Sequence, residues 1–264
     1  MLTVPAAGQW MGKQTGCYAD AIAANPNRPT VADPADITQY GVMELEYGWD
    51  RLWPEPGLRQ SSVGGLLKFG MLCDVEFRWT TTSFLSQTRD GSGTQQSFGD
   101  NWIGPQVRFY RQTKRVPALA FAYAVKIPSA STIAGLGSGR VDHAFTILAS
   151  KDLARIHFDF NASEFLIGRI NASGFDNGQQ VNLAFSHLIR GPLQFTGEFY
   201  GDTRLNPSTP WFVSSLWALT YTVTPRLVID GGFEVGLTDG GPHRHVFVGA
   251  TWAIGNLYRW RRRN

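Results

Sequence analysis

The stretch Ala118-Leu119-Ala120-Phe121-Ala122-Tyr123-Ala124-Val125-Lys126-Ile127 decides the fold. Large apolar side chains fill its odd positions, and small or charged ones its even positions. Successive side chains of a strand point to opposite faces, so this is a strand with one greasy face and one small or polar face. Ala154, Ile156, Phe158 and Phe160 repeat the pattern against Arg155, His157, Asp159 and Asn161, and there the second face is charged. A soluble sandwich turns the apolar face inward and an outer-membrane barrel turns it outward to lipid, so the alternation by itself admits both.

Working outward, segments of this kind begin at Gly41, where Met43, Leu45, Tyr47 and Trp49 oppose Glu44, Glu46 and Asp50. The others cover about 60–69, 74–84, 100–112, 116–128, 139–150, 153–163, 178–188, 192–201, 209–222, 226–238 and 243–254, which makes twelve strands. Residues 1–40, rich in Ala, Asn, Pro and Asp, show no sustained period and read as an irregular leader. Residues 41–255 form the barrel region, and 256–264 a basic C-terminal tail.

Composition narrows the choice. The 264 residues contain no hydrophilic mid-chain linker, so one domain is expected. Charged residues are only 17% and aromatics are many, yet mean hydropathy is slightly negative at -0.17, as when apolar and polar strand faces cancel. No apolar run reaches the roughly 18 residues that a spanning helix needs. The net charge of +3 is modest and spread along the chain apart from the terminal cluster, which argues against a nucleic-acid partner. Cys17 and Cys73 give no metal-knuckle spacing; one long-range disulfide and two free thiols are both admissible. Met1 to Gly8 lacks a signal-peptide pattern, so an export signal would have been removed or lie upstream.

The connections give the alternation a direction. Those at 70–73, 113–115, 151–152, 189–191 and 223–225 read as tight, and those at 51–59, 85–99, 129–138, 164–177 and 202–208 as longer, with a shorter one at 239–242. Tight turns on one rim and long loops on the other mark an up-and-down membrane barrel, and an even strand number puts both termini on the tight-turn, periplasmic side. The expected fold is therefore all-β, a single up-and-down antiparallel transmembrane β-barrel of 12 strands. Val75, Phe77, Trp79, Phe109, Phe145, Phe199, Ile229, Phe233, Val248 and Trp252 face lipid in this reading. Trp49, Trp79, Trp102, Trp211, Trp217 and Trp252 are read as an interfacial girdle.

Several stretches carry a family resemblance: Gly41-Val-Met-Glu-Leu-Glu-Tyr-Gly48, Phe69-Gly-Met-Leu-Cys-Asp-Val-Glu-Phe77, Gly99-Asp-Asn-Trp-Ile-Gly104, Pro117-Ala-Leu-Ala120 running to Lys126-Ile-Pro128, Leu219-Thr-Tyr-Thr-Val-Thr-Pro225 and Asp230-Gly-Gly-Phe-Glu-Val-Gly-Leu-Thr-Asp239. In this order they resemble the family of outer-membrane proteins and transporters linked by name to the MetA pathway of phenol degradation. The resemblance implies an outer-membrane barrel acting as a transporter. The chain departs from it by showing no signal and by continuing past the last strand to Asn264.

By alternation the lumen is lined by Glu44, Glu46, Lys68, Glu76, Arg78, Arg108, Lys126, Arg140, Asp142, Arg155, His157, Asp159, Glu198, Asp230 and Glu234. Such a wall is either a charged channel or a ladder of cross-strand ion pairs that braces the barrel. His157 and Asp159, with Ser150 or Ser163 near, raise a hydrolase alternative, although residues two apart on a strand are about 7 Å apart, long for an imidazole–carboxylate pair. His243 and His245 have chelating spacing without an evident third ligand. The expectation is a channel for passive passage of small solutes, aromatic or apolar ones among them, in the outer membrane; it is not an enzyme and uses no cofactor or metal. Outer-membrane lipid and small-molecule solutes are the partners. A non-conducting structural barrel is the third reading, favoured if the N-terminal forty residues or a closed ion-pair network fill the lumen.

Overall fold

The computed structural model describes residues 21–204 and 209–260. Cys17 and residues 261–264 of the basic tail lie outside the described residues. The strands are β1 (Val42–Trp53), β2 (Leu58–Leu72), β3 (Val75–Arg89), β4 (Gly93–Ser97), β5 (Asn101–Tyr110), β6 (Ala118–Ile127), β7 (Asp142–Leu153), β8 (Ile156–Gly168), β9 (Phe175–Arg190), β10 (Leu193–Asp202), β11 (Phe212–Thr224), β12 (Leu227–Gly236) and β13 (Arg244–Asn256). One helical turn, α1 (Leu257–Trp260), follows.

Twelve of these strands close into a ring. Each is antiparallel to its chain neighbours, β2 pairs with β3, and β1 pairs with β13 from Val42↔Asn256 to Trp53↔Arg244. Closure leaves no unpaired edge in a medium that could not hydrate one. β4 stands outside the ring, pairing with Leu85–Arg89 of β3 as a hairpin above the wall. Sequence alternation does not reveal it, because its five residues, one glycine and four polar ones, have no apolar face to bury.

The turn rim carries Cys73-Asp74, 111–117, Ala154-Arg155, Gly191-Pro192 and Pro225-Arg226; the loop rim carries 54–57, 90–100, 128–141, 169–174, 203–204, 209–211 and 237–243. Several connections differ from the expected lengths: β8 and β9 run on until only 169–174 joins them, and those after β6 and β12 widen to 128–141 and 237–243. The β1–β2 connection shrinks to four residues because both strands extend beyond the barrel's alternating core, so the short–long order is not strict. The β5–β6 connection lengthens because Arg111 leaves the ladder to bind Asp74 (3.1 Å). Burial opposes ionisation of Asp74, but hydrogen bonds from Arg111 and Arg108 outweigh it and hold this turn carboxyl below its ordinary pKa. Cys73, in the same turn, is disulfide-bonded.

Apolar and polar faces sort as a membrane barrel requires. Phe121, Ile147, Phe199, Phe233, Val248 and Trp252 are exposed on the outer surface. Glu44, Lys68, Glu76, Gln106 and Glu198 are each at most 1% exposed inside. An apolar belt around the whole wall far exceeds the patch of a few hundred Å² that soluble monomers tolerate, so lipid covers it. The Trp residues do not form a simple girdle. Trp49, Trp79 and Trp252 face out, whereas Trp102 lies beside an inner cavity and Trp217 sits mid-wall, 5.9 Å from the Phe195 ring.

Candidate functional site

Residues 22–39 run through the lumen as a strap. They leave the turn rim where Ala24 N donates to Pro225 O (2.9 Å) and return there, Gln39 O accepting from Val42 N (2.9 Å). Pro26, Pro29 and Pro34 supply no N–H and disfavour helix in the residue before each, so the strap stays extended and its remaining N–H groups need acceptors.

The wall supplies those acceptors. Glu44 accepts from Asn25 N (2.7 Å), and Glu46 from Asn27 N (2.8 Å) and Arg28 N (2.9 Å). At the apex Glu198 takes Val31 N and Ala32 N, one on each oxygen, at 2.7 Å. On the descending limb Asn161 accepts from Asp33 N, Ser150 from Ala35 N and Glu76 from Thr38 N, each at 2.7 Å. These groups come from β1, β10, β8, β7 and β3, around most of the ring, so the strap spans the bore.

Ion pairs add to this. Lys68 Nζ lies 2.7 Å from Glu44 and 2.6 Å from Glu46, and also donates to Asn27 Oδ1 (2.6 Å) and Asn25 O. Arg28 forks onto Asp230 at 3.0 and 3.1 Å. Arg78 holds Asp33 (2.6 Å) and Gln106 (2.7 Å), and Gln106 donates to Pro34 O (2.9 Å). Arg108 bridges Asp36 of the strap and Asp74 of the turn.

The remaining candidates separate by height. Lys126 and Asp142 pair towards the loop rim, with Asp100 3.5 Å away. Glu234 accepts from Tyr200 OH (2.5 Å) and lies 2.8 Å from His245 Nδ1, above the strap. Arg140 and Arg155 do not join the lumen cluster. Arg140 precedes β7 and donates to Ile170 O in an exposed loop, and Arg155 occupies the β7–β8 turn, where the two-residue period ends. His243 likewise precedes β13, so it does not share the inward face of His245.

His157 and Asp159 do meet. Nε2 of His157 is 3.1 Å from Asp159 and Nδ1 is 2.7 Å from Asp152, closer than backbone spacing suggests because the side chains lean together. Ser150 donates to Asp159 and accepts from Ala35 N, and both ring nitrogens of the imidazole face carboxylates, so neither is turned to the Ser150 hydroxyl. Among the described residues no cluster of three or more His, Cys, Asp or Glu is arranged to hold a metal ion. Sequence reading missed Arg28, Asp33 and Asp36, which lie in a leader without periodicity.

The strap divides the lumen into two chambers. The one towards the turns, about 90 Å³, lies between Asn25 to Thr30 and a wall containing Asp159, Ser186, Gln194, Thr220 and Thr222. The one towards the loops, about 210 Å³, contains Trp102, Phe165, Ala122, Ala124 and Ala144, with Arg78 and Asp33 at the strap.

Two glycines make room for Arg28. A Cβ on Gly249 would lie 2.4 Å from Arg28 Nε, and one on Gly48 2.8 Å from Cζ. Gly249→Leu should therefore drive the guanidinium off Asp230. Amides of 28–36 should then exchange with deuterium at least about tenfold faster, the equivalent of about 1.4 kcal/mol, while the β5–β9 wall keeps its protection. Unchanged strap exchange would deny Arg28 an anchoring role.

Residues 27–254 match the family described as "Putative MetA-pathway of phenol degradation". The fold is similar to that of an outer-membrane channel from Pseudomonas putida F1 (TM-score 0.65, 12% identity, 89% of this chain and 98% of that one). It is also similar to the KdgM porin solved with oligogalacturonate (0.53, 6% identity, 80% and 99%) and to the NanC porin (0.52, 9% identity, 80% and 98%). At such identities the likeness is one of fold. No curated protein matches the sequence significantly.

Proposed function

The chain belongs to the MetA-pathway family of phenol degradation, and on that premise we propose that it is an outer-membrane channel for passive passage of small solutes, gated by its own strap. The turn rim and both chain ends then lie in the periplasm, with the loops outside. One observation carries this reading: a polar lumen inside a lipid-facing barrel, crossed by a segment that is held through many hydrogen bonds and ion pairs, with only small apolar contacts such as Ala24 on Val228 and Ala35 on Leu148 beside them.

The loop-side chamber favours flat, apolar solutes. Ala122, Ala124 and Ala144 leave a shallow wall beside Trp102 and Phe165, and Arg78 and Asp33 can meet a polar edge. Liposome swelling with phenol-sized aromatic solutes tests this directly. Passage is expected, and Trp102→Ala should lower the aromatic rate several-fold while leaving that of a small sugar unchanged. No passage of any solute would favour the non-conducting structural barrel, the second reading, which the filled lumen also supports.

A further inference from the structure

We propose that the outer surface of β1 and β13 at the loop rim is a binding site for the phosphate of an outer-leaflet glycolipid, read by Arg51 and Arg244. This rests on the orientation proposed above.

Alternation places Arg51 and Trp53 on the outward face with Tyr47 and Trp49, both exposed. Arg244 shares the outward face of Val246 and Val248, also exposed, and is the register partner of Trp53. The guanidinium carbons of Arg51 and Arg244 lie over the Trp53 ring, 5.4 and 5.5 Å from its centroid. One indole therefore holds two cations on a lipid-facing wall.

Neither arginine has a carboxylate partner among the described residues, and Arg51 Nε is shielded from solvent without a hydrogen-bond partner. Nearby rim acids are taken: Glu55 pairs with Arg89 at 3.0 Å and Asp90 with Arg59 at 3.4 Å. Asp50, one residue away, points inward to Ser62 and His245. An arginine facing lipid is costly at the bilayer midplane and close to free at the interface, so this pair belongs at headgroup depth. A phosphate fits there, since guanidinium forks bind its oxygens bidentately and lose less hydration than an ammonium would. Val246, Val248 and Trp49 continue down the wall from the pair and give acyl chains a surface, which a free phosphate would not use.

Native mass spectrometry of the detergent-purified, folded full chain with lipid A and its enzymatically dephosphorylated form tests the proposal. Wild type should retain lipid A at least about tenfold better than the dephosphorylated lipid, and Arg51→Ala/Arg244→Ala should remove that preference. Arg59→Ala, whose partner is Asp90, should keep it. Equal retention by wild type and the double variant would overturn the site, as would full competition by inorganic phosphate, which would mean a free-anion site. Solute passage in liposomes should be the same in the double variant, so failure here is distinguishable from failure of the channel reading.

Discussion

Glu198→Ala should open the channel. Glu198 holds the apex of the strap through two backbone N–H groups, and among the described residues no cation pairs with it. Alanine takes the acceptor from both N–H groups and leaves the buried one, Ala32 N, unpaired, a loss of about 1–3 kcal/mol. The open population should rise at least about tenfold in planar-bilayer recordings, since each 1.4 kcal/mol is a factor of ten. Glu198→Gln keeps one acceptor oxygen and should fall between. Wild-type gating in both variants would mean that the apex contact does not control passage.

Lys68→Met should be the most destabilising single change. Lys68, Glu44 and Glu46 are buried together, and removing the cation leaves two carboxylates uncompensated. Breaking a buried pair in this way costs about 3–5 kcal/mol. For a domain of this size each kcal/mol moves the midpoint about 2–4 °C, so the heat-modifiable gel transition should fall by roughly 6–20 °C. Adding Glu44→Gln and Glu46→Gln should recover most of the loss, because a neutral cluster needs no counter-charge. An unshifted midpoint in Lys68→Met would show that the triad does not support the wall.

The wall was legible because lipid imposes a strict two-residue period, which Leu119 to Ile127 displays. Its strand number followed from counting such segments, and its direction from the connections. The strap was not legible as a plug, because an extended segment bound through its backbone leaves no side-chain period, and its prolines read equally as a linker. A signal was nevertheless present. The inward face carried more acids than bases, and moving Arg140 and Arg155 to the rims widens the excess. Buried carboxylates such as Glu198 require donors, and the strap's N–H groups and Arg28 provide them. His157 was misjudged for a related reason, since Cα spacing along a strand ignores how far side chains lean.

Deleting residues 24–38 tests the central claim most directly. The flanks lie close together, Ala23 N donating to the Gln39 side chain at 3.3 Å, so a short glycine linker rejoins them. With heat-modifiable migration retained, single-channel conductance should rise several-fold above that of the full chain. Equal conductance would contradict a lumen gated by its own strap.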